Sequence, residues 1–316
     1  MATWRWRAAA LLLCLVSLRW QALGQSVDKA VLNSTVWITY QENAAQAKSA
    51  SATRHAAAPT TFGGTGFLLF QGIGYTKGSV YLITNKHLLP KPGIEKSIHL
   101  RVAVRDPNGS RRVQEVEVPI VGSNGKYLDS VRLHPNPETD VAAVNITSIA
   151  LGAKMQLLVD AVLNHRCLDV SMLMTSERLQ NSSVGPGTPV YVVGFPAALF
   201  DPRNVSPLLR IGYVSSEPRE GFSFNPLLRE KLHLPEHIDG FLIDANVYPG
   251  TSGSVVILAS AATPGADATA TQPLILGIVG GSIPIFDESL QSYERIGLGV
   301  VYSANAIAEV LKSFAN

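Results

Sequence analysis

Residues 250–258 read Gly250-Thr251-Ser252-Gly253-Ser254-Val255-Val256-Ile257-Leu258. A serine between two glycines, just ahead of an apolar strand, is a hydroxyl held on a tight turn. The small neighbours let a carbonyl approach the backbone, and they leave the amides of Gly250 and Ser252 free to face a developing oxyanion. Read alone, the same stretch is also a hairpin turn, because Gly/Ser-rich turns before strands are common. The chemical reading requires a base and an orienting carboxylate in matching contexts.

Both are present. His87 closes Thr84-Asn85-Lys86-His87, directly after the apolar strand Val80–Ile83, and so sits at a sheet rim. Asp140 opens the apolar run Val141–Ile146 after the turn-rich Pro135–Thr139. Taken singly, such a histidine is a surface or half-buried side chain and such an aspartate a turn former. Together the three residues share one pattern, a polar side chain at a strand end beside small or turn residues. Their order is His87, Asp140, Ser252, with separations of 53 and 112 residues, one of several orders in which a serine–histidine–aspartate triad occurs.

Outward from these three, strand patterns dominate. Ala30–Tyr40, Gly66–Phe70, Ser79–Thr84, Ile98–Val104, Val113–Val121 and Asp140–Ile146 form a first set of short, β-branched or alternating runs. A second set comprises Pro189–Gly194, Leu209–Ser215, Gly240–Asn246, Ser254–Leu258, Leu274–Val279 and Ile296–Tyr302. Six strands, a joining segment with Leu and Met at more helical spacing, and six further strands predict an all-β chain of two antiparallel barrels or sandwiches. A short helix over Ala304–Phe314 ends it. Two Ala/Thr/Ser-rich stretches, 43–60 and 259–271, read as surface loops.

The first 24 residues carry the marks of a secretory signal: Arg5 and Arg7, an apolar core from Ala8 to Leu18, and the small-residue site Ala22-Leu23-Gly24. The apolar run is shorter than the ~20 residues a spanning helix needs, so a secreted or periplasmic protein is expected, with no membrane partner after signal removal. The chain carries 26 basic and 24 acidic residues; losing the segment's three Arg leaves 23 against 24, a net of −1. Nothing in that balance indicates a nucleic-acid partner. Cys14 leaves with the signal and Cys167 has no intramolecular partner, so no internal disulfide is expected. The expected organisation is a signal peptide at 1–24, a first barrel at 25–150, a connection at 151–183, and a second barrel with the terminal helix at 184–316.

At these residues the chain resembles a family. Gly64-Thr65-Gly66-Phe67, Ile83-Thr84-Asn85-Lys86-His87, Thr139-Asp140-Val141-Ala142 and Gly250-Thr251-Ser252-Gly253 look like the ordered blocks of trypsin-like serine peptidases. They are most similar to the protease domain of the HtrA/Deg group. Val192–Pro196, Ile211–Ser216, Ile243–Asn246 and Gly297–Ser303 agree. The resemblance implies two six-stranded chymotrypsin-like barrels and a serine endopeptidase acting on proteins or peptides without a cofactor or metal. It implies Ser252 as nucleophile, His87 as base, Asp140 as its orienting partner, and Gly250 and Ser252 as oxyanion donors.

The departures also inform. Thr251 stands where pancreatic-type enzymes carry the aspartate that pairs with a new N-terminus, so activation of that kind is not expected. Ser254 replaces a glycine, and no PDZ domain is expected after Leu311. A substrate wall is expected from Asn246, Val247, Gly280, Gly281 and Ser282, with Ile296–Leu298 on a further side and no carboxylate for a basic residue. Small or medium apolar side chains are therefore expected before the cleaved bond.

Two other readings are weighed. His233-Leu234-Pro235-Glu236-His237 fits an inverted zinc signature, but Pro235 would break the helix that motif needs. A catalytically silent binding module on the same fold is the other alternative.

Overall fold

The computed structural model describes residues 29–42, 60–73, 77–92, 95–105, 111–151, 167–201, 203–232, 234–259, 272–287 and 292–315. The signal segment, most of both Ala-rich loops, residues 152–166 of the connection, and His233 lie outside these residues.

Strands β1 (Thr35–Glu42), β2 (Thr60–Ile73), β3 (Lys77–Thr84), β4 (Ser97–Arg105), β5 (Arg111–Pro119), β6 (Val131–Leu133) and β7 (Ala142–Asn145) form one sheet. Its order is β5-β4-β1-β2-β3-β7-β6, with β8 (Leu168–Asp169) running parallel to β2. The second set is β9 (Pro189–Gly194), β10 (Leu208–Val214), β11 (Phe222–Ser223), β12 (His237–Ile238), β13 (Gly240–Asp244), β14 (Val255–Leu258), β15 (Ile275–Asp287) and β16 (Ser292–Ser303). Six of these close a barrel, β10-β13-β16-β15-β14-β9, while β11 and β12 make a separate ribbon. The expected two-part β architecture is present. In detail the first part is a curled sheet of eight strands, and the second is the closed six-stranded barrel.

Burial explains which runs became central strands. Val141 to Val144 and Val255 to Leu258 are covered on both faces, so apolar residues run without alternation. One hydrophobic cluster crosses the seam between the two parts. Phe67, Leu69 and Ile83 from the first pack with Val193, Val255 and Ile278 from the second. The terminal helix Ala304–Lys312 lays Ile307, Val310 and Leu311 into the same cluster. Ser303 caps it by accepting from Ala306 N at 3.4 Å, and Arg132 Nε ties its end to the first sheet through Ser313 O at 3.2 Å.

One local expectation is corrected. The run Ala30–Tyr40 is not one strand, because Lys29–Ser34 is helical. There the hydroxyls of Ser34 and Thr35 both donate to Val31 O, at 2.9 and 2.8 Å, while Val31 is fully buried. Tertiary burial and local hydroxyl bonds outweigh the β-branched composition. In the His-x-x-Glu-His segment no helix was expected, and none runs through its described residues 234–237. The helix Pro226–Leu232 ends before it, and His237 lies in β12, opposite Ser223.

Candidate active site

The strand β3 ends at Thr84, and a short 3₁₀ turn, Lys86–Leu88, carries His87 out to the rim. Asp140 precedes β7, which pairs antiparallel with β3, so Thr84 lies opposite Ala142. This register brings His87 and Asp140 together. His87 Nδ1 lies 2.5 Å from Asp140 Oδ2, and His87 N donates to Asp140 Oδ1 at 3.1 Å. Asn85 Nδ2 pins the Asp140 carbonyl at 2.6 Å. A carboxylate at Nδ1 fixes the ring proton there and leaves the Nε2 lone pair available. The His87 side chain is 48% exposed and Asp140 24%, so the imidazole faces solvent while its partner is half covered.

The surroundings add charge and cover. Lys86 Nζ donates to Asn136 O at 2.7 Å. Partial burial holds its amine below the usual lysine range, and the charge of Asp140 partly opposes this. Beneath Asp140, Tyr302 donates from its hydroxyl to Glu138 O at 3.2 Å. Burial, aided by the negative charge of Asp140, pushes this phenol up to about 12. The ring also fills the space over Gly280, where an added Cβ would meet Tyr302 Cε2 at 2.5 Å.

Ser252 lies on the turn between β13 and β14, and nearly every backbone carbonyl around it is held. Ala197 N donates to Pro249 O at 2.6 Å, Thr65 Oγ1 to Gly250 O at 2.7 Å, and Thr65 N to Ser252 O at 2.8 Å. Gly253 N donates to Val279 O at 2.9 Å. Among the described residues, the amides of Gly250 and Ser252 have no acceptor. The Pro249–Gly250 peptide is trans, so its N–H points opposite to the carbonyl that Ala197 holds. Two unpaired donors one residue apart, on a turn whose carbonyls face elsewhere, suit an incoming anion. Gly250 has φ +86° and Gly253 φ +84°, values that favour glycine.

The serine hydroxyl donates to Gly280 O at 3.1 Å, and no hydrogen bond joins it to His87 among the described residues. That carbonyl is available because of a bulge. In the β15–β16 ladder Val279 faces Val301 and Gly281 faces Val300, which leaves Gly280 as the extra residue.

The expected substrate wall is brought to this place in part. Asn246 has φ +35°, and its amide donates to Gly297 O at 3.0 Å. Gly281 has open space where a side chain would project. Val247 instead packs inside the barrel, 2% exposed, against Gly299. A cavity of about 410 Å³ beside Asn246 is lined also by Arg210, Tyr213 and Asp244, so a carboxylate stands beside a wall that was expected to have none. Arg210 donates to Asn246 O and, at 3.4 Å, to Thr251 Oγ1. Burial holds the guanidinium below its usual range, opposed by Tyr248. These bonds tie β10 to the segment from Asn246 to Thr251. Thr65, Arg210 and Tyr302 are the supports that motif reading missed. Thr65 and Tyr302 stand in the blocks Gly64–Phe67 and Gly297–Ser303, which mark their positions but not their bonds.

Residues 64–262, more than half of the chain, match the family described as trypsin-like peptidase domain. The chain belongs to that family, the serine-protease class of hydrolases, whose substrates are peptides and proteins. Among solved structures it is similar to the active form of the Rv3671c protease from M. tuberculosis. That likeness has 16% identity and a TM-score of 0.45 over 90% of this chain and 82% of that one. It is also similar to the protease Anisep from Arthrobacter nicotinovorans, with 11% identity and a TM-score of 0.47 over 90% and 97%. No curated protein matches the chain.

Proposed function

We propose that this chain is an exported serine endopeptidase acting through an acyl-enzyme at Ser252. The observation that carries the reading is the paired contact of His87 with Asp140, 2.5 Å at the ring and 3.1 Å at the backbone. Ser252 Oγ bonds to the scissile carbonyl carbon as its proton passes to His87 Nε2. The amides of Gly250 and Ser252 receive the oxyanion. His87 then gives that proton to the amine as the C–N bond breaks. A water deprotonated by His87 releases the acid and restores the serine. The step requires the Ser252 hydroxyl to leave Gly280 O and turn to the imidazole.

Gly280, Gly281, Ser282 and Asn246 offer an extended substrate backbone groups and a wall. The cavity beside Asn246 holds one acid and one base, which favours neither sign of charge. The small residues Gly280, Gly281 and Ser282, with open space at Gly281, support small or medium apolar residues before the cleaved bond. Arg5, Arg7 and the apolar run after them support export. Profiling the secreted protein against a peptide library tests these points. Cleavage after apolar residues, by protein beginning at Gln25, is expected; cleavage after Arg, Lys or Glu would overturn the specificity.

A second reading, a silent binding module, is favoured by one observation, the serine hydroxyl bonded to Gly280 O instead of His87. Peptide binding without cleavage, unchanged in Ser252→Ala, would support it.

A further inference from the structure

One buried hydroxyl links the two halves of the molecule at the oxyanion turn. Thr65 lies in β2 of the first sheet, fully buried. Its Oγ1 donates to Gly250 O at 2.7 Å and accepts from Phe195 N at 3.1 Å, which uses the one proton and one lone pair of the hydroxyl in directed bonds. Phe195 opens the 3₁₀ turn Pro196–Ala198. Within that turn, Ala197 N holds Pro249 O at 2.6 Å. The hydroxyl therefore fixes the peptides on both sides of Gly250. It binds the carbonyl of Gly250 directly, and it anchors the turn that binds the carbonyl of Pro249. Because a trans peptide is planar, fixing the Pro249 carbonyl fixes the direction of the Gly250 N–H.

The rest of the residue keeps the hydroxyl in register. Thr65 N donates to Ser252 O at 2.8 Å, and Thr84 Oγ1 donates to Thr65 O at 2.9 Å. Thr84 also leads into the turn that carries His87. The space is closed around it. An added Cβ on Gly194 would meet Thr65 Oγ1 at 2.9 Å, and one on Gly253 would meet Thr65 O at 1.7 Å.

We propose that Thr65 is a positioning residue: its hydroxyl, supplied by the first sheet, presets the oxyanion amides of the second barrel. The proposal rests on the serine-peptidase reading. It assigns the hydroxyl an effect on the acyl-transfer step and none on substrate binding, because its bonds hold the turn and leave the substrate wall untouched.

Thr65→Ser and Thr65→Ala form the test pair, since both lose the methyl and differ only in the hydroxyl. With folded protein confirmed by near-ultraviolet circular dichroism, kcat and KM are measured on a peptide substrate cleaved by wild type. Thr65→Ala is expected to lower kcat about tenfold or more, with KM within about twofold, and Thr65→Ser to stay within about threefold of wild type. Equal kcat in the two variants would overturn the proposal, as would a loss carried by KM. If Thr65→Ala does not fold, Thr65→Val, which keeps the shape of threonine, takes its place. Failure of both to fold beside a folded Thr65→Ser would make the hydroxyl a determinant of folding and also overturn the proposal. An inactive wild type would count against the peptidase reading itself.

Discussion

Ser254 Oγ is buried without a hydrogen-bond partner among the described residues, close against Gly194, where an added Cβ would meet it at 1.8 Å. The sequence presented this position as one small residue in place of another. The structure adds that its hydroxyl is desolvated with no bond in return, which is unfavourable. Ser254→Ala is therefore expected to leave stability unchanged or raise it by up to about 1 kcal/mol, read from the urea midpoint with activity retained. A loss of more than about 1 kcal/mol would contradict this. Cys167, without an intramolecular cysteine partner after signal removal, packs against the core of the first sheet. Burial pushes its thiol up to about 12, which leaves it protonated and unreactive near neutral pH. His87, Asp140 and Ser252 stood out as candidates in the sequence because few residue types perform such chemistry and each stands at a strand end. Thr65 and Tyr302 were not legible as supports. Their partners lie 185 and 164 residues away, and nothing local marks such a bond.

Among the elements, the nucleophile turn shows what a short sequence can and cannot reveal. Gly250-Thr251-Ser252-Gly253 announced a tight turn, and positive φ at both glycines gives the reason. The reason Gly253 admits no side chain lies in another element, since a Cβ there would sit 1.7 Å from the Thr65 carbonyl of β2. Gly253→Ala must both adopt an unfavourable φ and displace backbone. It is expected to cost about 3 kcal/mol or more in chemical denaturation, and a cost below about 1 kcal/mol would show that the turn relaxes. Long strands with continuous or alternating apolar residues were readable as such. The strands β6, β8, β11 and β12 have two or three residues each, too few for any period to appear. The Gly280 bulge was invisible for a related reason, because a register shift is a property of two strands.

For the whole molecule, the order His87, Asp140, Ser252 has a structural meaning. His87 and Asp140 come from one sheet, joined by the pairing of β3 with β7. Ser252 comes from the closed barrel. The site therefore exists only while the seam holds. The seam is held by the apolar cluster shared by both parts, with the terminal helix packed into it, and by hydrogen bonds across it, from Thr65 to the Ser252 turn, from Tyr302 to Glu138 O and from Arg132 to Ser313 O. The two-part β organisation was legible from strand count and block order. The way the parts meet was not, because a seam is made of residues distant in sequence whose burial no local pattern encodes.

The central claim is an activated Ser252 served by His87. The most direct test is labelling of the folded protein by a fluorophosphonate probe, beside Ser252→Ala and His87→Ala. Labelling of wild type alone, with both variants folded and silent, is the expected result. A folded wild type that does not label, or a His87→Ala variant that labels as fast as wild type, would contradict it.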